Sequence, residues 1–171
     1  NTQKRMLEVE ITPEMDKKAK SKSGRHGNIP NSIRKGMGNL VGYLGEEIVL
    51  ATLEDCVEHN TFNYDMLRFP DTDFQYSIDV KTKERTVEPK PFYTTHVAKT
   101  SMHQDVDVYI FCQVNVKRGP KRGWILGWMQ KQDYIDKATF MAAGEKDSFG
   151  WENRVDGYVL EISELNPISE L

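Results

Sequence analysis

Gln75-Tyr76-Ser77-Ile78-Asp79-Val80-Lys81-Thr82-Lys83 alternates without a break. Tyr76, Ile78, Val80 and Thr82 fall on one side, and Gln75, Ser77, Asp79, Lys81 and Lys83 on the other. This is the pattern of a strand with one face in a core and one polar face. A second strand is expected from Asn63 to Phe69, with the turn between the two centred on Thr72. In that register cross-strand partners sum to 144, so Asp65 stands opposite Asp79 on one face, with Cβ atoms ~5 Å apart. Lys81 follows on the same face. Like charges opposed in a ladder repel, so two carboxylates placed this way call for a cation.

Upstream, apolar residues Ile33, Met37, Leu40, Val41, Leu44, Ile48 and Ala51 keep helical spacing. A helix is therefore expected from Asn31 or Ser32 to about Glu58. Val49, Leu50 and Leu53 give it a second apolar side, so it is sandwiched between layers. Gly36, Gly38, Gly42 and Gly45 are costly in a helix, and close approach of another backbone would explain some of them. Before it, Leu7 to Ile11 reads as a short strand. Thr12-Pro13-Glu14 opens a basic helix, with Thr as cap and Pro at the first helical position, ending near Gly24. Arg25 to Pro30 reads as a loop.

Downstream, Glu84 to Thr100 is basic and broken by prolines, with a short helix expected around Tyr93 to Lys99. Val106 to Val116 is the most strand-like run and is expected at the centre of the sheet. A strand through Trp124 and Trp128, a helix from Gln130 to Ala143 and a strand from Tyr158 to Ile162 complete the chain, with a fraying tail from Asn166. The fold class is α/β, a single mixed central sheet flanked by helices. Residues 1–30 form a basic N-terminal strand, helix and loop, and 31–171 the main domain.

Gly45-Glu46-Glu47-Ile48-Val49, then Tyr64-Asp65-Met66-Leu67, then Ile78-Asp79-Val80-Lys81 stand in the order of a helix carrying Glu, a hairpin carrying Asp, and Asp-x-Lys. Residues 36 to about 85 thereby resemble the PD-(D/E)XK nuclease superfamily. The resemblance implies a restriction-endonuclease-like core and magnesium-dependent hydrolysis of DNA phosphodiesters, with manganese able to substitute. It implies metal ligands Asp65, Asp79, the Val80 carbonyl and Glu46, with Lys81 orienting the attacking water. Glu46 shares a face with Val49, Leu50 and Leu53 and is preferred to Glu47. A literal Pro70-Asp71 and Asp73 sit at the turn tip, and Asp73 is ~20 Å along an extended strand from Asp79, too far to share its metal. Asp79 replaces the more frequent Glu. A site-specific or structure-specific endonuclease of phage or mobile-element type is expected, with an exonuclease of the same fold or an inactive DNA-binding relative as alternatives.

Charge fits a DNA partner only locally. The 171 residues carry a formal charge of −3, yet the cations are segregated. Lys17, Lys18, Lys20, Lys22, Arg25, Arg34 and Lys35 crowd the front, and Lys117, Arg118, Lys121 and Arg122 form a second cluster. With Lys83 and Arg85 these are the expected phosphate contacts. Lys99 and Gln104 are further candidates near the centre. Cutting both strands would call for a homodimer. No apolar run approaches the ~20 residues of a membrane helix, and the opening residues lack a signal-peptide stretch. Cys56 and Cys112 read as reduced thiols, so a cytoplasmic, non-secreted protein of a bacterial or phage-infected cell is expected.

Overall fold

The computed structural model describes residues 6–26, 37–60, 65–68, 77–148 and 150–171. At 25–26, 37–39, 59–60 and 65–66 it describes the backbone alone. Strand β1 (Leu7–Glu10) leads into helix α1 (Pro13–His26), whose first turn is capped as expected: Met15 N donates to Thr12 Oγ1 at 3.2 Å. Helix α2 (Met37–Thr52) is followed by β2 (Val57–Asn60), β3 (Asp65–Arg68) and β4 (Ser77–Glu84). Then come β5 (Thr94–Ala98), a 3-10 turn at Lys99–Ser101, β6 (Val108–Asn115) and β7 (Arg122–Gln130). Helix α3 (Lys131–Lys137), β8 (Thr139–Met141) and β9 (Gly157–Glu161) follow.

Six strands make one mixed sheet in the order β1-β7-β6-β4-β3-β2, in which β4 and β6 run parallel and every other pair antiparallel. β6 is the central strand, and all eight of its residues are buried. Helices α1 and α2 cover one face, where Ile11, Ala19, Val41, Leu44, Ile48 and Val49 meet Ile78, Val108, Ile110, Cys112 and Ile125. Each fully buried aliphatic side chain there contributes roughly 1.5–3 kcal/mol. The second face is not covered by helices alone. A separate sheet, β5-β9-β8, packs over it with α3, enclosing Val97, Tyr109, Phe111, Trp124, Leu126 and Tyr134. The mixed α/β class and central sheet therefore stand, with an extra β layer.

Several expected elements differ. The second helix stops at Thr52 rather than Glu58. Thr52 Oγ1 turns back onto Ile48 O, and Cys56 N closes a turn on Leu53 O, releasing Val57–Asn60 to pair with β3. Around Tyr93 to Lys99 there is a strand in place of a helix, because Thr95 and Val97 alternate into the second core while Thr94 and His96 do not. The helix expected to reach Ala143 ends at Lys137, and Thr139–Met141 joins β9. The tail from Asn166 is tied down: Asn166 and Trp128 exchange two backbone bonds of 2.9 Å, and Trp128 Nε1 donates to Pro167 O at 3.0 Å.

β7 carries a bulge. Phe111 pairs with Gly127 but Cys112 with Ile125, so Leu126 is the extra residue. Gly127 has φ +150, and a Cβ there would lie 2.7 Å from Asn166 O, which requires glycine. The bulge reverses the alternation, so Trp124 faces the second core and Trp128 packs against the helix-side core.

Gly45 explains one of the helical glycines. A Cβ there would sit 3.0 Å from Thr82 Cβ and closer still to its hydroxyl, so α2 rests directly on β4. Gly42 has nothing within 4 Å. We predict opposite signs for the two alanine variants. Gly42→Ala stabilises by up to ~1 kcal/mol through helix propensity. Gly45→Ala destabilises by about 1–2 kcal/mol, because overpacking outweighs that gain. Urea unfolding of both variants checks the pair; equal shifts would refute the contact.

Candidate active site

β4 divides its side chains between two layers. Ile78 and Val80 join the helix-side core and Thr82 seats Gly45, whereas Asp79, Lys81 and Lys83 face the side covered by the second sheet. Asp79 is 9% exposed. Its Oδ2 lies 2.8 Å from Lys81 Nζ, yet that buried oxygen is in no hydrogen bond, the angle being wrong for one. Lys81 Nζ donates to Gln104 Oε1 at 3.4 Å and stands 5.9 Å from the Tyr109 ring centroid. The parallel register sets Tyr109 beside Asp79. Burial first, and the Asp79 charge second, push the Tyr109 phenol well above its ordinary value.

Two ties hold Gln104 in place. Lys131 Nζ donates to Met102 O at 2.8 Å and Gln104 O at 2.6 Å. Asp107 Oδ2 accepts from both Ser77 N, at 2.9 Å, and Ser77 Oγ, at 3.1 Å, joining the same loop to the start of β4. Further along, Lys83 Nζ donates to Thr94 O at 2.9 Å and lies 5.1 Å from the Trp151 ring. His96 meets Trp151 edge-on at 6.2 Å.

Burial, then the Lys83 charge, lowers the His96 pKa below the ordinary imidazole value of 6.5. The unfolded chain therefore takes up the proton first, so folding stability declines as pH falls below 6.5 toward the lowered folded value. We expect Tm to drop as pH falls through 6.5, and less steeply in His96→Gln. Identical slopes in the two proteins would show that His96 does not set the dependence.

The β3–β4 register is one residue from expectation. Leu67 pairs with Ile78 and Arg68 with Ser77, a sum of 145 rather than 144. Pairing the two fully buried apolar side chains, Leu67 and Ile78, on the helix side fixes this choice. Continued along the ladder, the position facing Asp79 is Met66, not Asp65. Asp65 is in β3 and its side chain is outside the described residues, as are Asp71 and Asp73. Glu46, half-buried, is carried by α2 on the layer across the sheet from the Asp79–Lys81 face. Glu47 is buried, and its carboxylate receives Lys22 Nζ at 2.9 Å. Val80 sits in the ladder opposite Ile110.

Most of the described cations expected at phosphates are engaged with acids. Lys18 pairs with Glu14 at 3.4 Å, and Lys20 and Lys121 both hold Asp16, at 2.8 and 3.0 Å. Lys20 foremost, and Lys121 with it, keep Asp16 below the usual carboxylate range. Lys22 bridges Glu47 and Glu58, Lys117 meets Glu84 at 2.9 Å, and Arg122 meets Glu8 and Glu88 at 3.2 and 3.5 Å. Lys17 and Arg118 are exposed, Arg85 stacks on Tyr93, and Lys99 is exposed as the first residue of the 3-10 turn. Arg25 is described in backbone only; Arg34 and Lys35 are outside the described residues. The front cluster is thus largely a helix bound into the fold: α1 buries Ala19 against α2.

Four residues of the site were not read as functional from the sequence. Arg68 shares the face of Ser77 by register, and its Nε is buried without a hydrogen-bond partner. Tyr109, His96 and Trp151 arrive from other strands and loops. Tyr109 lies in a near-continuously apolar run whose alternation is masked by burial on both faces.

Among the described residues no group of three or more His, Cys, Asp and Glu is arranged to hold a metal, and no helix is long and apolar enough to cross a membrane. No protein-family model matches the chain, and neither does a curated protein or a solved structure.

Proposed function

We propose that the chain is a magnesium-dependent DNA endonuclease with a PD-(D/E)XK-type, restriction-endonuclease-like core and its centre at Asp79 and Lys81. The observation that carries this is the Asp79–Lys81 pair itself: a buried carboxylate with one oxygen outside any hydrogen bond, and a lysine two residues on along a polar sheet face. Lys81 Nζ, at 2.8 Å, is the cation that meets this oxygen, and a carboxylate already placed for a cation on this face can serve a divalent metal as well. Magnesium is commonly held by one or two carboxylates, with water and substrate phosphate supplying the remaining oxygens. Asp79 fits as its anchoring ligand, with the Val80 carbonyl as the other proposed; Asp65 loses its place because the register does not set it opposite Asp79.

The chemistry magnesium supplies when bound is stabilisation of charge on the scissile phosphate. Lys81, steadied by Gln104, holds the attacking water. The water oxygen forms the new bond to phosphorus, the sugar oxygen leaves with the bonding pair, and a proton replaces the lost ester link. Glu46 is assigned no direct metal contact here, because its helix lies on the other layer. Cys56 and Cys112, both buried and free, fit a reducing cytoplasm; burial pushes the Cys56 thiol up to about 11, which keeps it unreactive.

The test is nicking of closed supercoiled plasmid with magnesium or manganese, against an EDTA control. Metal-dependent nicking supports the proposal and excludes a pure exonuclease, which needs an end. Absence of nicking with metal-dependent loss from linear DNA would establish the exonuclease. Inactivity on both, with binding retained, would establish an inactive relative.

A further inference from the structure

We propose that Lys83 and Arg85, with the rings of Trp151 and Tyr93, form a track for one unpaired DNA strand leading along β4 away from Asp79 and Lys81. The choice of polymer rests on the nuclease proposal; the track itself rests on separate contacts.

Lys81, Lys83 and Arg85 project from alternate positions, so their Cα atoms repeat at about 6.6 Å along one line. Arg85 lies just past the end of β4, where its N–H still reaches Val114 O at 2.9 Å, which extends the ladder to this residue. Each cation stands against an aromatic ring: Lys81 5.9 Å from Tyr109, Lys83 5.1 Å from Trp151, and Arg85 4.7 Å from Tyr93. All three contacts fall on one face of one strand.

The rings are also placed at the rim. Trp151 and Tyr93 are half-buried, and Phe92, 45% exposed, meets Tyr93 edge-on at 5.2 Å. Cations at a regular step, interleaved with partly exposed rings, suit a polymer carrying one negative charge and one flat base per repeat. An acidic peptide would use the charges without the rings. A duplex keeps its bases stacked inside and could not use the rings either. The fourth pair, Arg122 with Trp124, belongs to β7 and lies off this line.

The experiment is fluorescence anisotropy of the full chain in EDTA at fixed salt, so that binding is read without cutting. The probes are a fluorescein-labelled oligothymidylate of roughly 15 nucleotides and a duplex of equal length. The single strand should bind at least about tenfold tighter. Trp151→Ala and Arg85→Ala should each weaken it by roughly 5- to 150-fold, with duplex binding little changed. Trp151→Phe should retain most of the affinity, which separates a lost stacking surface from a lost fold. If Trp151→Ala does not fold, Arg85→Ala, at the rim, decides. Equal affinity for the two probes, equal losses on both, or wild-type binding by the variants would overturn the track. Plasmid nicking that Asp79→Asn abolishes, without any single-strand preference, would sink the track and leave the nuclease standing. Strand binding without any cutting would do the reverse.

Discussion

Asp79→Asn should cut the plasmid-nicking rate by about a thousandfold or more while shifting stability by no more than about 1 kcal/mol. The amide keeps the shape of the carboxylate but cannot carry its charge, so an anchoring ligand for a divalent cation is lost. The fold should tolerate the change, because Lys81 is 20% exposed and can turn its charge to water. Lys81→Ala should lose a comparable factor, and Gln104→Ala a smaller one, since its 3.4 Å contact only steadies the lysine. Glu46→Gln is the informative companion. A loss well below that of Asp79→Asn agrees with its place on α2, whereas an equal loss would bring Glu46 into the centre and overturn the assignment made here. Initial rates at saturating magnesium, with circular dichroism for each variant, are the measurement.

Lys22→Ala should destabilise the protein by about 2–3 kcal/mol and leave DNA affinity within about twofold. Lys22 is 17% exposed and Glu47 8%, and the lysine also bridges to Glu58. Removing it strands the Glu47 carboxylate in a place with little water. Fully buried pairs broken in this way lose about 3–5 kcal/mol, and the partial exposure of Lys22 lowers that figure. The double variant Lys22→Ala/Glu47→Gln should lose less than the sum of the two single changes. Guanidinium unfolding measures the stability, and anisotropy at fixed salt the affinity. A large drop in affinity with unchanged stability would return Lys22 to the phosphate-binding role expected from charge clustering.

Legibility followed locality. The alternation from Ser77 to Lys83, the Thr12 cap and the burial of Val108 to Asn115 were all readable, because each depends on neighbours a few residues apart. The Asp79–Lys81 proximity was readable for the same reason. Register was not: 144 and 145 are equally good turns on paper, and the Leu67–Ile78 packing that decides between them involves the helix above. β2 was hidden because Leu53-Glu54-Asp55-Cys56 contains neither Gly nor Pro to mark the helix end. The second sheet joins segments near residues 96, 140 and 159, and such long-range pairing leaves only faint local marks. His96 and Trp151 enter the site through that sheet and its loops, so they were invisible with it. The acidic partners of the charge clusters were not legible either. Asp16, Glu47, Glu58 and Glu84 lie far along the chain from most of the cations they neutralise.

The single-residue bulge in β7 also equips the molecule with built-in optical probes. By turning Trp124 and Trp128 to opposite faces, it leaves one indole reporting from each of the two cores, while Trp151 stands beside Lys83. These are the chain's three tryptophans. Replacing them by phenylalanine two at a time would yield single-emitter proteins. Their emission spectra would time the loosening of each layer and the arrival of a DNA strand with no label attached.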